Sequence, residues 1–195
     1  MAKLQHALNK RADGDKLRNE YYTPEYAVET LIPYLKQFKG KTIWEPTDPE
    51  GERGIYSALQ KAGHVIYFSG LPKTDFFLQE KPLGDIVVTN PPYGKRDREK
   101  FMRKLFNWGI PWAMLMPLTT LEGVARGKIW QKYGCELLVH DNRPAFIPGV
   151  EKKYNSQLLV EEAEYKVKVS VPWFNASWFC SGILPEKLMF AKIEK

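Results

Sequence analysis

The chain lacks any long apolar run: nowhere does it reach the roughly 18 consecutive apolar residues that a membrane helix needs. The opening Met-Ala-Lys-Leu-Gln-His has no apolar stretch of the kind a secretory signal contains, so neither a leader nor a membrane partner is expected. Cysteine is scarce. Cys135 and Cys180 alone cannot build a disulfide framework, and they read as reduced core thiols of a cytoplasmic protein. Three histidines and two cysteines, all scattered, give no zinc spacing, so no metal is expected. Internal repeats, low-complexity tracts and long linkers are missing too. The 195 residues therefore read as one domain.

What is present is enough apolar material for a core, 44% of the residues, and a net charge of +6, which favours polyanionic partners. The basic residues cluster in Lys95-Arg96-Asp97-Arg98-Glu99-Lys100 and in Arg103-Lys104. Such a run by itself is an ordinary solvated helix face. Its place directly after the motif described below turns it into a phosphate-contacting surface. The 6 Trp, 10 Tyr and 10 Phe can fill a core, and the same side chains stack on bases.

Strands and helices alternate. Tyr21-Tyr22-Thr23-Pro24 precedes a helix over about 24–37, with Thr23 as N-cap, Pro24 at the first helical position and Pro33 as a distortion. Then come strand Lys41–Glu45, helix Gly54–Ala62, strand His64–Phe68 and the buried strand Asp85–Thr89. Helix Lys95–Trp108, strand Trp112–Met116, helix Val124–Tyr133 and strand Leu137–His140 follow. This rhythm implies a parallel sheet with helices on both faces. Residues 1–20 form an extension, and 149–172 interrupt the rhythm as a candidate substrate-contacting insertion. Ala176–Leu184 and Lys187–Ile193, divided only by Pro185-Glu186, predict a closing antiparallel hairpin.

The informative stretch is Asp85-Ile86-Val87-Val88-Thr89-Asn90-Pro91-Pro92-Tyr93. A buried strand delivers an amide, two prolines and an aromatic to the carboxyl edge of the sheet, where open α/β sheets bind ligands. An adenine amine is a poor nucleophile because its lone pair is delocalised into the ring. Two acceptors, the Asn90 side-chain oxygen and the Pro91 carbonyl, can localise that pair and take up the charge that develops on methyl transfer. Pro92 keeps the backbone rigid, and Tyr93 can stack on an extruded base.

Asn-Pro-Pro-Tyr after a hydrophobic strand resembles the catalytic signature of nucleic-acid amino-methyltransferases that use S-adenosylmethionine (SAM), the adenine-N6 enzymes among them. The likeness runs through most of residues 21–193. It implies a Rossmann-like class I SAM-dependent methyltransferase fold, α/β with a seven-stranded, mostly parallel sheet. It also implies cofactor contacts: Tyr22, Thr23 and Pro24 beside the methionine end, Glu45 and Pro46 at the end of the first strand, and Ser69 at the ribose. Asp75 with Phe76 or Phe77 would lie at the cofactor's adenine, and Asn90 would touch the cofactor as well as the base. Lys95, Arg96, Arg98, Lys100 and Phe146 are the substrate-binding candidates. Met116-Pro117-Leu118, the loop Arg143–Gly149 and Trp178-Phe179-Cys180 resemble later family segments.

Two positions depart from the pattern. Where the family has an acid-Pro-x-x-Gly-x-Gly loop, this chain reads Glu45-Pro46-Thr47-Asp48-Pro49-Glu50-Gly51. Where an acid grips both ribose hydroxyls, it has Ser69. Asp48 or Glu50 is then expected to serve the cofactor's ammonium instead. The reading is adenine-N6 methyl transfer to nucleic acid, DNA ahead of RNA because the Tyr22-Thr23-Pro24 start resembles restriction-type and phage-type enzymes. The alternatives are RNA read by its shape, a catalytically silent relative that binds nucleic acid or a partner subunit, and a protein or small-molecule methyltransferase.

Overall fold

A computed structural model describes residues 21–48, 50–51, 54–92, 95–148 and 175–194, with backbone alone at Tyr21, Lys95, Arg96, Ile147 and Pro148. The expected helix at 2–12 and the 149–172 insertion lie outside the described residues. In chain order the elements are β1 (Tyr21–Tyr22), α1 (Glu25–Glu29), α2 (Ile32–Leu35), β2 (Thr42–Glu45), α3 (Gly54–Lys61), β3 (Val65–Phe68) and β4 (Ile86–Thr89). They continue as α4 (Lys95–Trp108), β5 (Trp112–Pro117), α5 (Val124–Tyr133), β6 (Glu136–His140), β7 (Ile147–Pro148), β8 (Ala176–Ser181) and β9 (Leu188–Ala191).

Seven strands form one sheet in the order β3-β2-β4-β5-β8-β6-β9, and β1 with β7 make a separate two-stranded ribbon. Every neighbouring pair in the large sheet is parallel except those of β8, which runs against both β5 and β6. Successive residues of the strands feed opposite faces, as the period of two requires. Ile43, Val88, Ala113, Leu138 and Trp178 pack with Val28, Leu31, Ile55 and Leu59 of the first three helices and their connections. Trp44, Val87, Trp112, Met114 and Phe179 pack on the other side with Phe101, Met102, Leu105 and Ile129 of α4 and α5. The chain is thus an α/β sandwich with a core on each side of its sheet.

The expected C-terminal hairpin does not form. β6 lies between β8 and β9, and the chain joining them passes over the start of β6. The Glu136 carboxylate holds that crossing, accepting from the backbone N–H groups of Gly182, Ile183 and Leu184 at 2.9 Å each. Sequence reasoning took Pro185-Glu186 as a two-residue turn. The residues themselves explain the difference. Ala176 to Cys180 are buried on both faces, as an interior strand must be, whereas β9 alternates exposed with half-buried residues and suits an edge.

The first helix is also corrected. Pro24, not Thr23, is the N-cap of α1, in an extended conformation and without a side-chain cap bond. The helix breaks after Glu29 and resumes as α2, with Pro33 in its first turn where a missing N–H costs nothing.

Candidate active site at the carboxyl edge

The order in which strands are added reverses between β2 and β4. From β2 the chain crosses to β3 on one side, then returns to lay β4 on the other. The crevice outside the carboxyl ends of two such strands is the preferred ligand site of open α/β sheets. Glu45 is the last residue of β2 and Thr89 the last of β4, so the site is built around these two and the residues that follow them.

Glu45 is fully buried, yet its two oxygens have different surroundings. Oε1 accepts from the Thr47 backbone N–H at 2.7 Å, the Thr47 hydroxyl at 2.6 Å and the Thr89 hydroxyl at 2.8 Å. Oε2 is equally buried and has no hydrogen-bond partner among the described residues. Burial drives the carboxyl pKa up to about 7, with the nearby Asp48 charge adding to it and the three donors opposing it. The Thr47 hydroxyl also lies 3.1 Å from that of Thr89 and 3.3 Å from the Asn90 carbonyl oxygen. One threonine therefore joins the loop after β2 to the Asn90-Pro91-Pro92 segment after β4. Asn90 is half-buried with its Oδ1 shielded from solvent, Pro91 is buried and Pro92 is exposed. Tyr93 lies outside the described residues.

The loop following Glu45 turns one acid inward. Asp48 is buried and its Oδ1 accepts from Gly51 N–H at 3.1 Å, while Glu50 is exposed. Gly51 has φ +67°, and a Cβ there would meet the Phe68 ring at 2.9 Å, so the glycine is required by conformation and by space. Pro49 itself lies outside the described residues.

Several candidates take positions other than those expected. Ser69 is buried and its hydroxyl accepts from Trp44 Nε1 at 2.8 Å, which makes it first a partner of the indole. Asp75 caps the short turn Phe76–Leu78 by accepting from Phe77 N–H at 2.7 Å. Phe76 is a core residue, stacked on Phe101 with centroids 4.0 Å apart, so of the two phenylalanines only Phe77 keeps an exposed edge. Phe146, expected against substrate, is fully buried in the core beside α1–α3; an aromatic flanked by prolines in a loop gave no hint of that. Arg98 turns inward and donates to Thr120 Oγ1 at 2.7 Å. Thr120 follows β5, and its carbonyl accepts from Arg126 Nε and Trp130 Nε1 as well. Lys100 remains exposed, 5.9 Å above the Phe77 ring. The side chains of Lys95 and Arg96 are outside the described set.

Of Tyr22, Thr23 and Pro24, Thr23 packs against the start of α3, the helix that follows the loop after β2. Thr23 is buried, and its carbonyl faces Gly54 so closely that a Cβ on the glycine would lie 2.0 Å from the oxygen. Tyr22 pairs with Ile147 in the small ribbon. Pro46 continues directly from Glu45 in a turn. Sequence reasoning missed Thr47 and Thr89, whose signal was their position: one each in the two segments that the strand order brings together.

Among the described residues no cluster of three or more His, Cys, Asp or Glu could hold a metal ion. No described helix is long and apolar enough to cross a membrane. Both cysteines are free thiols, with Cys135 pushed up to about 12 and Cys180 raised by burial.

No family profile and no curated protein matches the chain. Among solved structures, it is similar to a Listeria monocytogenes protein provisionally described as a class I S-adenosylmethionine-dependent methyltransferase, with a TM-score of 0.50 and 10% identity. The match covers 89% of this chain and 66% of that one. The fold is therefore that of the class I methyltransferases. The chain spans about two thirds of the length of the protein it matches.

Proposed function

We propose that this protein transfers a methyl group from SAM to the N6 amine of adenine in nucleic acid, DNA ahead of RNA. The observation carrying the proposal is the juxtaposition at the switch point. Asn90-Pro91-Pro92 leaves the carboxyl end of an interior strand and is tied through Thr47 to Glu45, whose Oε2 is buried without a partner among the described residues. A buried carboxylate oxygen in that condition suits a cationic group, and the α-ammonium of SAM is one. Asp48, buried in the same loop, adds negative charge to that end of the crevice. Asp75, through the oxygen not engaged in capping, and the exposed edge of Phe77 would serve the cofactor's adenine.

When bound, SAM supplies an electrophilic methyl group. The chain's own contribution lies with the acceptors. The Asn90 amide oxygen and the Pro91 carbonyl take the two N–H bonds of the amine, concentrate its lone pair and stabilise positive charge as it develops. Prolines at 91 and 92 fix that backbone in advance, so no reorganisation is needed when the charge appears. Tyr93 would stack on the base, and the basic face of α4, Lys100 foremost, would meet phosphates.

One observation favours a second reading, a catalytically silent relative that binds nucleic acid or a partner. The ribose position carries Ser69 rather than an acid, and its hydroxyl already accepts from Trp44. The deciding experiment supplies methyl-labelled SAM with separate DNA and RNA pools and identifies the labelled nucleoside. N6-methyladenosine or its deoxy form supports the first reading. Measurable binding of nucleic acid with no label transferred to any acceptor supports the second.

A further inference from the structure

We propose that the chain forms a two-fold symmetric dimer by pairing β9 antiparallel with β9 of a second copy, giving one continuous sheet across both molecules. The inference is independent of the function proposed above.

β9 is the last strand of the sheet, and among the described residues its outer edge is unpaired. Leu137 N–H donates to the Lys187 carbonyl and Asp141 N–H to the Ala191 carbonyl, so residues 187, 189 and 191 direct their backbone groups inward to β6. Leu188 and Phe190 direct theirs outward. An open edge of this kind is a template for another strand, and proteins that stay monomeric usually blunt it with charge, proline or a bulge. Here the outward residues are apolar and uncovered, Leu188 at 52% and Phe190 at 71% exposure. Both lie on the side of α4 and α5, in register with Leu137 and Val139.

The sequence around β9 selects one register. A two-fold axis normal to the sheet pairs residues of like parity, and the outward backbone groups of one strand must meet those of the other. An axis through Met189 satisfies both conditions. It sets Leu188 opposite Phe190 of the second copy, and Phe190 opposite that copy's Leu188. Just past the strand ends it sets Glu186 opposite the second copy's Lys192, twice over. Both charged residues are exposed. Shifting the axis to Phe190 keeps one apolar pair, Phe190 against its own copy, but sets Leu188 against Lys192 and Glu186 against Glu194, losing the charge match and the Leu188–Phe190 pairs. The other edge of the sheet, β3, exposes Val65 and Tyr67 but has no flanking pair of opposite charges, which is why the second copy is assigned to β9. Because the axis reverses strand direction, the two carboxyl edges open at opposite ends of the joined sheet.

The axis also makes Met189 face its own copy as a non-hydrogen-bonded pair, with Cα atoms about 4.5 Å apart, within disulfide reach. Sedimentation velocity over roughly 1–200 μM, the range appropriate to a small interface, should show the wild-type chain passing from monomer to dimer. Phe190→Lys, at an exposed position that leaves the core untouched, should sediment as monomer throughout and melt at the temperature of the dilute, monomeric wild-type chain. Met189→Cys should form an intermolecular disulfide under mild oxidation, whereas Lys187→Cys and the wild-type chain, whose thiols are half-buried at Cys135 and buried at Cys180, should not. A wild-type chain that stays monomeric across the range overturns the proposal. So does a dimer that survives Phe190→Lys, or a Met189→Cys chain that fails to cross-link while dimeric.

Discussion

Thr89 donates its hydroxyl to Glu45 Oε1 at 2.8 Å, joining the last residues of two adjacent parallel strands across the point where the strand order reverses. This bond, with the two from Thr47, keeps a carboxyl group in place that burial alone would expel. It also has a consequence for pH. Burial raises the Glu45 pKa from the ordinary carboxyl range to about 7, so between those values the folded chain holds a proton there that the unfolded chain has lost. Stability from this group is full below the unfolded value and declines as pH rises through the folded one, by about 3 kcal/mol in total. Glu45→Gln should remove that slope. Denaturant melts of both proteins at pH 5 and pH 8 measure it, and parallel pH dependences in the two would refute the assignment of Glu45.

Cationic ligands should read the same group with opposite sign. The ionised carboxylate attracts an ammonium and the protonated one does not. SAM affinity should therefore rise as pH increases towards about 7 and fall again once the cofactor's own ammonium loses its proton, above about 8. In Glu45→Gln it should be weaker and lose this rise. Calorimetry at several pH values gives both quantities.

Asn90→Ala should lower the methyl-transfer rate by about 10²–10³, the scale for one acceptor of developing charge, while SAM affinity barely changes. Single-turnover assays with labelled SAM separate the two. If binding falls in step with the rate, Asn90 is a cofactor contact and not an acceptor for the amine.

How much of this was legible beforehand follows from which interactions are local. The Ile86–Thr89 strand and the placement of Asn90 could be read because a continuous apolar run ending in a polar-proline turn states its own burial and its own end. The place of β8 could not, because it depends on which strands leave a slot open, although Trp178-Phe179-Cys180, apolar on both faces, carries a hint. The Glu136 carboxylate that carries the chain over β6 bonds residues more than 40 positions away. No local pattern announces such a bond. Phe76 and Arg98 misled for a related reason: an aromatic and a cation near a site look alike whether they face the ligand or each find a partner within the protein.

Gly54→Ala tests the contact that packs the Tyr22-Thr23-Pro24 segment against the start of α3. The added Cβ would lie 2.0 Å from the Thr23 carbonyl oxygen, a backbone atom that cannot rotate away. Overpacking of this kind costs about 1–3 kcal/mol. The helix propensity of alanine would by itself favour the substitution. A lowered melting temperature therefore reports the contact, and a raised one would show that the segment is free to move aside.

Ser69 decides how the cofactor half of the crevice works. Ser69→Ala leaves the buried Trp44 indole N–H without its acceptor and should cost about 1–3 kcal/mol of stability. Ser69→Asp offers that N–H one carboxylate oxygen and leaves the other for a ribose. Two charge-assisted bonds there should tighten SAM binding roughly tenfold, about 1.4 kcal/mol. The stability and binding effects are read separately, by melting and by calorimetry. Tighter binding in Ser69→Asp with the fold intact identifies the end of β3 as the ribose position. Unchanged binding in a folded Ser69→Asp protein means that the ribose lies elsewhere and that Ser69 serves Trp44 alone.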